Sequence, residues 1–177
     1  MTHGAITLIL ASIVAITASA AHAEGPVRVD GTSHLSELTK AWVEAAKDTN
    51  FQLTITNREA GTGGGFKGFS QTLVDINKAA RGMKDNERRI CEQQNLRWIE
   101  LIVAHQREGT ETLRLFVNKN SLRRESVRDF LRYCLSDHAQ ELAAFHATAL
   151  STEEVRNSRG LLTEAIEAAA DLTDRDE

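Results

Sequence analysis

The chain has 177 residues, a formal net charge of −4 and 5% aromatic residues. Mild acidity argues against a general nucleic-acid or membrane-surface binder, whose contact face is basic. A single proline and so few aromatic side chains give no sign of a disordered linker or of stacking platforms for bases. Cys91 and Cys134 are the two cysteines, and in an oxidising compartment they leave a disulfide open.

Residues 6–18 form an apolar run interrupted only by hydroxyl side chains, and Ala21-His22-Ala23 is a small-x-small cleavage signature before Glu24. The run is short for a membrane span. The expected organisation is a cleaved secretory signal over 1–23, one domain over 24–170 and a charged tail over 171–177. The mature chain is then expected in the periplasm, with no stable membrane insertion.

Val27-Arg28-Val29 reads as a strand running into Asp30-Gly31-Thr32-Ser33, a turn with capping chemistry. Leu35, Leu38, Trp42 and Ala45 recur at helical spacing. Residues 51–57 alternate as a second strand, followed by a glycine loop over Gly61–Gly65 and a helix from Phe66 to Leu73. Val74-Asp75-Ile76 is a brief third strand, 84–95 a polar helix, and Trp98–Ala104 and Leu113–Val117 two further strands. The rest is helical: Ser121 is placed to cap a helix containing Val127, Phe130 and Leu131. Ser151-Thr152-Glu153-Glu154 has the form of a capping box for a last helix packing Leu161, Leu162, Ala165 and Ile166. Alternating strands and helices predict an α/β sandwich with a largely parallel central sheet flanked by helices.

In such folds ligands gather where strand carboxyl ends meet helix amino ends. Three junctions qualify: Asp30–His34, Gly61–Gly65 and Asn77–Arg81. Four glycines in the five positions 61–65 let backbone N–H groups converge, and a helix starting there adds its own unpaired amides and positive dipole end. Neither nucleotide motif fits. A dinucleotide fingerprint needs glycine where Phe66 stands, and a P-loop needs Gly-Lys-Ser/Thr where Gly68 is followed by Phe69. The plain alternative is a flexible turn without a ligand. Ser33 could equally cap a helix, and Arg81 could equally be a solvated surface arginine. Cys134 and His138 have the spacing of a metal pair but lack a third ligand, so no metal or cofactor is expected. Arg123, Arg124, Arg128 and Arg132 read as a solvated helix face. No nucleophile–base arrangement occurs, and enzyme activity is not expected.

The succession Val-Asp-Gly-Thr-Ser, Gly-Thr-Gly-Gly-Gly-Phe-Lys, Val-Asp-Ile-Asn-Lys-Ala-Ala-Arg, and Cys-Glu followed by Trp-Ile-Glu-Leu-Ile-Val-Ala resembles the periplasmic phosphate-binding proteins of ABC transporters. The ordered match covers about 27–104, and Leu115–Leu122 resembles the return of that family's chain to its first domain. The resemblance implies a type II periplasmic-binding-protein fold. It also implies a ligand set for phosphate or a related tetrahedral oxyanion: Thr32, Ser33, His34, Gly61, Thr62, Gly63, Gly64 and Arg81. His34 replaces a frequent threonine, Ala80 a serine and Ser70 a cysteine, which leaves Cys91 without its usual partner. The family inserts a whole second lobe where this chain has only the eight residues between Ala104 and Leu113, so a single-lobe member is expected. Implied partners are the anion and an ABC permease; a homodimer would restore enclosure, though nothing in the sequence argues for one. The rival reading is an interaction or regulatory module that kept the lobe and lost ligand binding.

Overall fold

The computed structural model describes residues 24–49, 53–108 and 111–173. The expected signal segment, the start of the expected second strand and the last four residues of the tail lie outside them.

Apolar alternation builds β1 (Val27–Gly31), which pairs in parallel with β2 (Ile55–Asn57) on one side and β3 (Ile76–Ala79) on the other. The intervening chain supplies α1 (Ser36–Thr49) and α2 (Gly61–Ser70), and α3 (Asp85–Gln93) follows β3. β4 (Trp98–His105) then turns straight back into β5 (Thr112–Asn118), which enters the sheet antiparallel to both β3 and β4. The short link between the paired His105 and Thr112 permits only this, because a parallel pair needs a crossover of a dozen residues or so. Strand order is β2-β1-β3-β5-β4: a parallel half carrying the three candidate junctions, extended by an antiparallel hairpin. The expected α/β sandwich is present, and the hairpin stands where the resemblance implied a missing lobe.

Both faces of the sheet are covered. On one, Val27, Val29, Ile76, Leu113, Leu115 and Val117 pack with helices α1, α4 (Glu125–Cys134), α5 (Asp137–His146) and α6 (Thr152–Thr173). On the other, Phe66 and Phe69 of α2 and Cys91 of α3 pack on Phe116 and Ala79. The two cysteines therefore sit in different clusters, both buried and free. Helix α6 has the expected capping box, with Ser151 N donating to Glu154 Oε2 at 2.9 Å and Glu154 N to Ser151 Oγ at 3.3 Å. It buries Leu162 and Ala165, whereas Leu161, expected inside, is exposed.

Two further expectations change. Ser121 does not cap α4; its hydroxyl donates to Asp75 at 2.8 Å. The carboxylate of distant Glu24 accepts from the Glu125 and Ser126 amides instead. Nor are the arginines of that region simply solvated, since Arg124 Nη1 donates to Asp75 at 3.0 Å and Arg128 to the Leu122 and Arg123 carbonyls.

Candidate functional site

Because β1, β2 and β3 are parallel, their carboxyl ends emerge at one edge of the sheet. There Thr32 opens a 3-10 turn over Ser33–Leu35: its Oγ1 accepts from His34 N at 3.2 Å, and its own N–H donates to the Lys78 carbonyl at 2.9 Å. The capping hydroxyl is thus that of Thr32, while Ser33 and His34 are exposed. His34 Nδ1 lies 3.5 Å from Glu111.

The glycine run is not a loop: α2 begins at Gly61, so Gly61, Thr62, Gly63 and Gly64 form its first turn. Two constraints account for the glycines at 61 and 65. Gly61 has φ +75, outside the range that side chains favour. At Gly65 an added Cβ would meet Asn77 Oδ1 at 2.0 Å and Gly31 Cα at 2.7 Å, so only glycine lets α2 lie this close to β1 and β3. Toward solvent the turn is open, with nothing within 4 Å of a Cβ built on Gly63. No side chain caps α2, and the amides of its first turn have no carbonyl one turn back to receive them. The amide of Ala60, just before the helix, is taken by Asp30 Oδ1 at 2.8 Å, which also accepts from Gly31 N at 2.8 Å. Asp30 thereby ties the first junction to the second.

Asn77, Lys78 and Ala79, expected in a third junction, are strand residues of β3. Arg81 lies beyond the strand end, but its guanidinium is engaged: both terminal nitrogens reach the Glu87 carboxylate at 2.8 Å, and one donates to the Gly82 carbonyl. It also stands 5.4 Å from the Phe66 ring centre. A carboxylate of the protein occupies the fork that an oxyanion would use.

Sequence reasoning missed two features of this edge. Lys78 is fully buried and its Nζ has no hydrogen-bond partner. Burial pushes its pKa down from the usual 10.5 to about 8, opposed in part by the charges of Glu59 and Asp30. Glu59 itself accepts from the Ser36 hydroxyl at the start of α1. The only prior signal was a lysine set among strand residues that alternate apolar and polar. Away from the edge, Cys134 is sealed in the core and His138 is exposed, so the pair of suitable spacing does not converge on one site. Among the described residues no cluster of three or more His, Cys, Asp or Glu could hold a metal ion.

The described residues form a one-lobe α/β domain whose three parallel strands end at this edge beside the first turn of α2. In sequence the chain is 35% identical over 95 residues to Protein SphX of Synechococcus elongatus, a stretch of 54% of this chain and 27% of that one. It is 30% identical over 81 residues to the phosphate-binding protein PstS of Staphylococcus saprophyticus, covering 46% of this chain and 25% of that one. The chain thus spans about a quarter of the length of the curated relatives it matches. Its fold matches a possible phosphate binding protein from Planctomyces limnophilus with a TM-score of 0.73 at 14% identity, over 80% of this chain and 99% of that chain. It also matches a candidate phosphate ABC transporter substrate-binding protein with bound phosphate from Clostridium perfringens, with a TM-score of 0.57 at 11% identity, over 72% of this chain and all of that one. At such identities the two structures speak for the fold alone. No family model matches the chain. The resemblance to phosphate-binding proteins read from its motifs is upheld by these relatives in sequence, and the one-lobe architecture by chains that it covers almost end to end.

Proposed function

We propose that this chain is an exported solute-binding-like protein that holds phosphate or a related tetrahedral oxyanion, half enclosed, at the amino end of α2 and hands it to an ABC permease. The observation that carries the reading is the uncapped first turn of α2. Its amides stand unpaired at the carboxyl edge of the parallel strands, with open space beside Gly63. Thr62 adds a hydroxyl, and Thr32–His34 flank the same edge. Recognition is non-covalent: fixed N–H donors replace water around the anion, and the helix dipole favours its charge. With one lobe the guest stays partly hydrated, so affinity is lower than in a receptor that closes around it. The absence of any helix long and apolar enough to cross a membrane, among the described residues, is compatible with a water-filled compartment.

Calorimetric titration of phosphate, arsenate and sulfate into the protein tests this. Thr62→Ala should weaken binding several-fold. Gly63→Asp, which has room for its side chain, should abolish binding by placing a competing carboxylate on the first turn while α2 stays folded. Unchanged affinity in Gly63→Asp would sink the site. The rival reading, an interaction module without a ligand, draws on one observation: Glu87 holds Arg81 and Glu59 holds Ser36, so the protein's own carboxylates already satisfy these donors. Absence of binding at millimolar anion would favour it.

A further inference from the structure

With Arg81 committed to Glu87, the oxyanion site lacks the cation that the sequence suggested, and the structure supplies another. Lys78 pairs with Gly31 across β1 and β3, at the end of the sheet from which the first junction departs. Its carbonyl holds the Thr32 amide, which fastens the Thr32–His34 turn to the same strand end. Its side chain is 0% exposed and its Nζ donates to nothing. A buried ammonium without a partner is a high-energy group that a guest anion can relieve.

Three charged groups face Lys78 from the surrounding elements: Glu59 ahead of α2, Asp30 of β1 and Lys40 of α1. Asp30 is already spent on the Gly31 and Ala60 amides, and Lys40 on Glu37 at 2.9 Å. Glu59 is different. It is an exposed residue directly before Ala60, the residue that precedes the first turn of α2, and its carboxylate is held by the Ser36 hydroxyl at the amino end of α1.

Resting on the reading of α2 as an anion site, we infer that Lys78 is the cation of that site and that the guest anion displaces the Glu59 carboxylate from Ser36. Two consequences follow from the charges. Lys78 is deprotonated more readily in the empty protein than with an anion beside it, so binding above about pH 8 takes up a proton. Affinity is then highest below that pH and falls as pH rises. Removing the Glu59 charge lifts a competitor and tightens binding.

Sulfate is the suitable probe, because its charge is constant over this range whereas phosphate titrates. Sulfate is titrated by calorimetry from pH 7.5 to 9.5 into the unaltered protein, Lys78→Met and Glu59→Gln, with inorganic phosphate at pH 7.5 as a parallel arm. The unaltered protein should lose at least tenfold in affinity across the series. Lys78→Met should bind at least tenfold more weakly at pH 7.5 and show no such pH dependence, and Glu59→Gln should bind several-fold more tightly. Circular dichroism confirms that each variant is folded. Repeating the titration of the unaltered protein at pH 8.5 in buffers of different ionisation enthalpy measures proton uptake without any substitution. Wild-type affinity and pH profile in Lys78→Met, or no proton uptake, overturn the lysine assignment and leave α2 as an anion site. Unchanged or weaker binding in Glu59→Gln overturns the displacement. No binding of either anion by the unaltered protein overturns both this inference and the reading on which it rests.

Discussion

At Asp75 a single carboxylate accepts from the Arg28 amide and guanidinium, from the Ser121 hydroxyl and from Arg124, and so joins β1, β3 and the segment before α4. Burial by itself would raise its pKa. The hydrogen bonds from Arg28 and Ser121, helped by the Arg28 charge, outweigh burial and hold it below the usual 3.8. A folded value below the unfolded one means that this stabilisation is present above about pH 3.8 and lost as pH falls through the folded value. Asp75→Ala should cost about 3 kcal/mol in urea unfolding, toward the low end for a broken buried pair because Arg28 is partly exposed; an effect near zero would remove its role as an anchor. Lys78 has the opposite sign. Its folded value of about 8 lies below the usual 10.5, so the unfolded chain binds the extra proton between these values and stability rises with pH across that window. Lys78→Met should therefore stabilise the fold at pH 7 by roughly 1–3 kcal/mol, measured by the same urea titration, and flatten the rise.

Among the elements, α2 has the least helical sequence and the most exacting position. Glycines are poor helix formers, yet five of its ten residues are glycine. At one of them packing explains the conflict: a side chain at 65 would collide with Asn77 and with β1. Gly65→Ala should thus destabilise by about 2 kcal/mol through overpacking, although alanine is the better helix former; a stabilised variant in thermal unfolding would contradict the close approach. Helix α4 makes a related point. Its amino end is closed by Glu24, about a hundred residues away in the chain, and no local pattern could announce that.

For the whole molecule, the sheet is the partition. Cys134 belongs to the larger cluster on one face and Cys91 to the smaller one on the other. Alkylation without reductant should label both thiols after denaturation and neither in the folded protein, by mass spectrometry; a single disulfide-linked species would contradict this arrangement. The hairpin of β4 and β5 has a mechanical consequence as well. It returns the chain directly to β3, so the described residues contain no second lobe able to swing onto a ligand. On the proposed function, selectivity has to come from the charges and donors of one edge: Lys78, Glu59 and the α2 amides.

Local rules made much of this legible. Alternation located β1, β4 and β5, helical spacing located α1, α4 and α6, and the capping box located the start of α6, because these signals depend on neighbours in the chain. The ordered motifs also carried the resemblance to phosphate-binding proteins, and the brevity of the 105–112 connection carried the single lobe. Other features depend on contacts between distant segments. The glycine run opens a helix that at Gly65 lies too close to two strands for any side chain, Arg81 found Glu87 across a turn, and Ser121 turned to Asp75 instead of capping. The burial of Lys78 belongs to the same group. Sequence determined the elements and the chemistry available at the sheet edge; tertiary packing alone decided which of those charges were already neutralised and which was left without a partner, since desolvation and pairing are properties of the assembled fold.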